Sequence, residues 1–274
     1  MIGTLLVFDL KGKMACWKKF YSNSSSFTYE LPTRTHLIGI LASILELPRD
    51  SYYEKLDTSN CKLSIKPCTL LKRQFHCMNY FKKPNKREYT QVRLEVLQPH
   101  HIQDELIAYR VYVWLKDDIL FAELIDRIKE QNWGYGIYLG QRQFRGNAEF
   151  VALSETVTES FNATKEICSI TNINNLESGE KSLSDLSDIN IERMPLGFVF
   201  AEKDTEGNID EDKLNSNFLN RELESIGRIV YPKRPGSRVT SSTPFKYSVT
   251  LSYNQITENI AFYENEIAVP HTTG

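Results

Sequence analysis

The order in which strand-like and helix-like periods follow one another constrains this chain more than any single motif. Thr4 to Leu10 is apolar and β-branched enough for a central strand, and Lys11-Gly12-Lys13 interrupts it. After a loop, Pro32 and Thr33 precede a helix on which Leu37, Ile38, Leu41, Ile44 and Leu45 form one stripe at helical spacing. Leu47-Pro48 ends that helix, and Asp50 to Leu56 suits one further short helical turn. Cys61 to Leu71 reads as a strand. Tyr89 to Leu97 alternates, with Val92, Leu94 and Val96 to one side and Gln91, Arg93 and Glu95 to the other, and Ile107 to Leu115 is a further extended run. Asp117 or Asp118 caps a helix from Ile119 to about Gln131 with Leu120, Leu124, Ile125 and Ile128 inward, and Glu149 to Leu153 is another strand.

The sequence of elements is therefore β, α, β, a long basic excursion, β, α, β. It predicts an α+β fold of the ferredoxin-like (RRM-like, split βαβ) kind over residues 1–155, with a large insertion around the second and third strands. The excursion at about 66–98 is too basic throughout for a core hairpin, yet its ends alternate like paired strands. It is expected to project as a β-hairpin arm with its tip near Lys82 to Glu88; a disordered basic loop is the other reading. Residues 156–274 read as a smaller β-rich region with an acidic mobile loop. Met194 to Phe200, Arg228 to Pro235 and Phe245 to Tyr253 are its strand-like runs.

Charge is segregated along the chain even though the formal net charge is only −2. From Lys62 to Arg93 nine cations face a single acid, Glu88; from Arg228 to Lys246 no acid occurs; between Ser154 and Ile226 acids dominate. One surface is expected to be basic and another acidic. No apolar run approaches the roughly 20 residues that span a bilayer, and the first residues lack a basic n-region and cleavage site, so a cytoplasmic protein is expected. The five cysteines are odd in number and form no C-x-x-C pair, which disfavours a disulfide framework or zinc ribbon.

Two loops carry candidate ligand-binding chemistry. The first holds Lys11, Lys13, Trp17, Lys18, Lys19, Phe20 and Tyr21. At the helix start behind it, backbone amides, the hydroxyls of Thr33 and Thr35 and the cations of Arg34 and Lys11 are placed to converge on phosphates. The alternative is that Thr33 merely caps a helix and Arg34 is solvated. Gly39, mid-helix, is read as a site of close packing by another backbone. The second loop, 132–150, contains Gly134, Gly136, Gly140 and Gly146 interleaved with Tyr138, Gln141, Arg142, Gln143 and Arg145. It lacks a phosphate-loop motif and better suits RNA contacts by stacking and charge.

No metal, cofactor or hydrolase motif is present. A metal-independent ribonuclease would need a base, an acid and a cation, for example His101 or His76 with Tyr112 and Lys116. That set has no recognisable spacing, and exposed or arm-packing histidines are the expectation.

The segments FDLKGKMACWKKF, YELPTRTHLIGILASIL, TQVRLEVLQPHHIQDELIAYRVYVWL and GIYLGQRQFRGNAEF together resemble the CRISPR-associated protein family five (Cas five) of the RAMP superfamily, nearest its type I-B branch. This is the subunit that holds the 5′ handle of the guide RNA in type I Cascade complexes. The resemblance covers residues 1 to about 155. It implies a ferredoxin-like domain with a β-hairpin thumb, no cofactor and no catalysis. Its implied partners are the crRNA 5′ handle, the Cascade backbone subunit gripped by the thumb, the large subunit and, through the complex, target DNA, with no membrane. Carried onto this chain, it implies that Lys11, Lys13, Trp17, Lys18, Lys19, Thr33, Arg34 and Thr35 hold handle phosphates and stack a base. Lys72, Arg73, Lys82, Lys83, Lys86, Arg87 and Arg93 supply thumb contacts, and Tyr138, Arg142 and Arg145 lie beside the handle. One branch of the family cleaves precursor guide RNA with a Tyr, Lys and His set. Here Asp117 stands beside Lys116 where a histidine would be wanted, which argues against nuclease activity.

Overall fold

The structure, a computed structural model, describes residues 2–22, 26–83, 88–101, 103–200 and 221–264. Its centre is an antiparallel sheet of β1 (Leu6–Gly12), β2 (Cys61–Pro67), β5 (Ile107–Leu115) and β6 (Arg145–Leu153) in the order β2-β5-β1-β6, with Ile137–Tyr138 added at the β6 edge. Helices α1 (Arg34–Ile44) and α2 (Asp118–Lys129) follow β1 and β5, as a split βαβ chain requires. The apolar stripe of α1 is buried throughout, Leu124 and Ile128 anchor α2, and Asp117 is the α2 cap, accepting from the amides of Ile119 and Leu120. Leu6, Phe8 and Leu10 pack in one cluster with these helices, each such side chain contributing roughly 1.5–3 kcal/mol.

Two sequence expectations change. Asp50 to Leu56 forms turns with no helix, and Asp50 itself has a φ of 65°. The run from Cys61 to Leu71 is broken after Pro67. There the chain leaves the central sheet and enters a separate hairpin of β3 (Leu71–Lys83) and β4 (Glu88–Pro99). β3 has 13 residues and therefore reaches about 40 Å. The hairpin root is fixed to the molecule: Leu97 and Ala15 exchange backbone hydrogen bonds of 2.8 and 3.2 Å, Ser26 bonds the Arg93 carbonyl, and Leu94 and Val96 are buried against Cys16. Glu95, on the side opposite Val92, Leu94 and Val96, is also buried, and its carboxylate accepts the Thr28 amide at 2.8 Å.

The other face of the central sheet is also covered. β7 (Thr156–Phe161), β10 (Tyr247–Tyr253) and β11 (Ile256–Ile260) form a three-stranded sheet, and Val249, Leu251, Tyr253, Ile260 and Phe262 pack on Leu5, Val7, Tyr112 and Ala152. A long hairpin of β8 (Ile189–Phe200) and β9 (Arg221–Pro232) lies between β7 and β10 in the chain. Met194, Ile229, Tyr231 and Tyr263 belong to the same buried cluster as Leu6 and Leu41, so residues after 155 share a core with those before it.

Candidate nucleic-acid interface

The helix start is a structural joint. Thr33 is the α1 cap, its hydroxyl accepting the His36 amide while the His36 ring accepts the Thr33 amide, which closes a capping box. Arg34 is 1% exposed. Its guanidinium forms an ion pair with Glu264 and donates to the carbonyls of Leu56 (3.0 Å), Asp57 (2.7 Å), Cys61 (3.0 Å) and Leu196 (3.1 Å). Burial opposes its charge, but the Glu264 carboxylate, with Cys61 and Asp57 adding to it, outweighs burial and holds the pKa above the ordinary arginine value. The phosphate-grip expectation for Arg34 and Thr33 is therefore corrected: neither presents a free group to solvent. Thr35 remains partly exposed, with its hydroxyl 2.8 Å from that of Thr33.

Trp17 is corrected too. It is fully buried, its indole N–H bonds the Tyr109 hydroxyl at 3.2 Å, and its ring meets His36 and Tyr109 edge-on, leaving no face for a base. Phe20 and Tyr21, a few residues on, are the exposed rings of this loop.

The candidate cations divide into two groups. Lys11 pairs with Glu149 at 2.6 Å, Lys19 with Glu192 at 2.7 Å, and Arg73 with Glu30 and Glu192 at 3.2 and 3.3 Å. Lys19 also lies 5.1 Å from the Tyr29 ring centre. These three are held by acids distant in sequence and are poorly placed to give a phosphate a full charge. Lys13, Lys18, Lys72, Arg93, Arg142 and Arg145 are exposed, and among the described residues none has an ion-pair partner. Lys82 and Lys83 lie on β3 with side chains outside the described part, and Lys86 and Arg87 fall outside the described residues altogether.

Backbone geometry joins the two candidate loops. Gly140 has a φ of +93°, and a Cβ there would overlap the Cys16 carbonyl; the Cys16 amide bonds the Leu139 carbonyl at 3.0 Å. Gly140 thus serves the docking of this loop onto the opening loop, while Gly134, with a φ of +51°, lies against the Ser43 and Ile44 carbonyls at the end of α1. The Gly12–Gly146 pairing sets Lys13 and Arg145 at the same end of the central sheet, and Tyr138 pairs with Arg145.

Between these loops, the outer face of α1 and the part of β8–β9 around Phe198 and Leu223 lies a groove of about 620 Å³, lined by Lys18, Phe20, His36, Gly39, Tyr138 and Phe198 among others. Gly39 corrects a further expectation. Among the described residues no backbone packs on it, since a Cβ there would meet only the Tyr52 hydroxyl at 3.8 Å, although glycine costs a helix about 1 kcal/mol relative to alanine. Burial lowers the His36 pKa to about 4, so the ring is neutral at pH 7. Its Nδ1 accepts from Thr33, which assigns the proton to Nε2.

Of the ribonuclease set, Tyr112 lies inside the molecule. Tyr112 is fully buried between the two sheets and donates to Glu258 at 2.5 Å; Glu258 also accepts from Tyr253 at 2.8 Å and pairs with Lys66. Burial, with Cys168 and Glu258 adding to it, raises the Tyr112 pKa well above that of an ordinary phenol. Such a hydroxyl cannot reach RNA. Among the described residues no group of three or more histidine, cysteine or acidic side chains is arranged to hold a metal ion.

The family described as CRISPR-associated protein (Cas_Cas5) matches residues 5–176. No curated protein matches this chain. Solved structures with similar chains include one described as a CRISPR RNA-guided surveillance complex, at 15% identity over 86% of this chain and 91% of that one, with a TM-score of 0.44. A CRISPR protein from Archaeoglobus fulgidus is similar at 12% identity over 94% and 99% of the two chains, with a TM-score of 0.49. The family match takes in the central sheet, both helices, the β3–β4 hairpin and both candidate loops, well over half of the sequence, and the chain belongs to the CRISPR-associated Cas5 family.

Proposed function

We propose that this chain is a non-catalytic RNA-binding subunit of a type I Cascade effector, acting in the cytoplasm in antiviral defence. In this reading it grips the 5′ handle of crRNA and joins the backbone and large subunits for RNA-guided DNA targeting, with the β3–β4 hairpin as its thumb. The observation that carries the reading is the set of exposed cations without acidic partners among the described residues, Lys13, Lys18, Arg142 and Arg145, on two docked loops at one end of the central sheet. Phe20 and Tyr138 stand among them as partly or fully exposed rings, the combination by which single strands are held. Lys72 and Arg93 extend the basic surface onto the hairpin.

The test is RNA affinity as a function of salt. Replacing Lys13, Lys18, Arg142 and Arg145 with alanine is expected to weaken binding to the protein's own repeat-derived RNA. It should also flatten the slope of log K against log salt by up to about 3, at roughly 0.7 for each single-strand phosphate no longer neutralised. An unchanged slope would reject the interface. Incubation of the same RNA with the protein in EDTA tests the competing endoribonuclease reading, which requires site-specific cleavage that disappears on changing His101.

A further inference from the structure

We infer that the groove beside α1 is a subsite for one unstacked nucleobase of a single-stranded RNA, with Phe20 as its stacking ring, His36 as a hydrogen-bond donor to the base edge, and Gly39 keeping its floor clear. The inference rests on the RNA-binding reading above and adds to it where one base goes and which side chains read it.

Glycine is the least favourable helix residue after proline, and it is normally explained by a left-handed backbone or by another backbone packed against it. Neither holds among the described residues: Gly39 sits in α1 outside the positive-φ residues, and a Cβ would find only the Tyr52 hydroxyl, at van der Waals distance. Among the described residues the missing side chain leaves open space, and that space is the floor of the groove. A branched or long side chain at this position would project into it.

The walls match a flat heteroaromatic ring. The volume of about 620 Å³ lies within the range of small-molecule sites, and Phe20 and Lys18, both exposed, stand at its rim. Phe20, Ile40 and Phe198 supply apolar surface. The polar groups within are mostly committed: Ser43 donates to the Gly136 carbonyl at 2.7 Å and Thr35 bonds Thr33. His36 differs, because Thr33 occupies Nδ1 and Nε2–H has no hydrogen-bond partner among the described residues. A neutral donor in an apolar slot suits the ring nitrogen or carbonyl acceptors of a base. Charge complementarity favours the same occupant, since Lys18 at the rim has no acidic partner among the described residues and can meet a phosphate while the base lies inside.

The experiment uses the full-length protein and fluorescently labelled single-stranded RNAs of about ten nucleotides, intact or carrying one abasic site at each position in turn. Gly39→Leu is expected to keep the wild-type thermal midpoint and lose about tenfold in affinity, the scale of one stacked base. One abasic position should weaken the wild type by a similar factor and add nothing further in Gly39→Leu; Phe20→Ala should behave like Gly39→Leu. His36→Gln should narrow the difference between homopolymers of the four bases while retaining binding. Wild-type affinity in both Gly39→Leu and Phe20→Ala, or losses that multiply with the abasic loss at every position, overturns the subsite and leaves the RNA-binding function standing. If Gly39→Leu instead loses a partner subunit and keeps RNA, the occupant is a protein segment and the inference is wrong. A wild-type protein with no salt-dependent RNA affinity overturns both.

Discussion

Arg34→Met separates a structural arginine from a phosphate ligand. The substitution keeps an unbranched chain of similar length and removes a guanidinium that serves one carboxylate and four backbone carbonyls in a closed site. Removing one member of a buried ion pair typically costs about 3–5 kcal/mol, because the other charge stays buried without compensation. Here the Glu264 side chain is only 2% exposed, so solvent cannot relieve it. Against a typical folding stability of about 5–15 kcal/mol this is roughly a fifth of the total or more. At roughly 2 °C per kcal/mol for a chain of this size, the thermal midpoint should fall by about 6–10 °C. Glu264→Gln in the Arg34→Met background should recover about 1–3 kcal/mol, since the uncompensated charge is gone. The assay is urea unfolding of the four proteins of the cycle, paired with RNA titration well below the transition. An Arg34→Met protein that unfolds at the wild-type urea concentration, yet loses RNA affinity and about 0.7 of salt slope, would refute the structural role.

Three further outcomes follow from the same geometry. The His36 pKa is lowered from 6.5 to about 4 on folding, so the unfolded chain binds the proton more tightly: stability is full above about pH 6.5, falls as pH drops toward 4 and levels below. Between pH 7 and pH 5 this amounts to about 2 kcal/mol, and His36→Gln should lose that share of the acid sensitivity in urea titrations at the two pH values; identical sensitivity would contradict it. Tyr112→Phe removes the donor to Glu258 and should cost about 1–2 kcal/mol while leaving RNA in EDTA untouched, whereas a cleavage that depends on the Tyr112 hydroxyl would contradict its burial. Arg73→Ala, which breaks half-exposed pairs with Glu30 and Glu192, should change stability by at most about 1 kcal/mol and leave the salt slope alone, while Lys18→Ala lowers the slope by about 0.7; the reverse pattern would exchange their roles.

Local periodicity made much of this architecture legible. The stripe Leu37, Ile38, Leu41, Ile44 and Leu45, the alternation from Tyr89 and the Asp117 cap are consequences of residues within a few positions of one another, and each formed where it was read. What depended on distant partners was hidden. Arg34 looks like a surface cation until Glu264, 230 residues away, is brought against it, and Trp17 looks like a stacking ring until Tyr109 and His36 close around it. The segregation of charge along the sequence dissolves for the same reason. Arg73 and Lys19 share Glu192 from the acidic stretch, Lys66 pairs with Glu258, and Arg228 pairs with Glu180, so contiguous basic blocks do not become contiguous basic faces. Gly39 carried a signal, an unfavourable residue inside a helix, but sequence cannot say whether the space it leaves is filled by the chain itself.

The location of the exposed cations follows from how the central sheet is covered. An RRM-like sheet reads RNA when one face stays open and its central strands display aromatic rings to stack bases. Here α1 and α2 cover one face, and Val249, Leu251 and Tyr253 cover the other, where Val7 and Tyr112 of the two central strands point. Both faces contribute burial, and neither is available to a ligand. The strand ends remain. At the end marked by Gly12 and Gly146, the opening loop is held by the hairpin through Leu97 and Ala15, and the glycine loop is held by the opening loop through Gly140 and Cys16. Loops anchored at both sides lose less conformational entropy on binding than free ones. The Thr33 cap and the Arg34 joint fix the helix on which Gly39 and His36 sit, so rigidity that the sequence alone would assign to phosphate binding instead sets the shape of the groove.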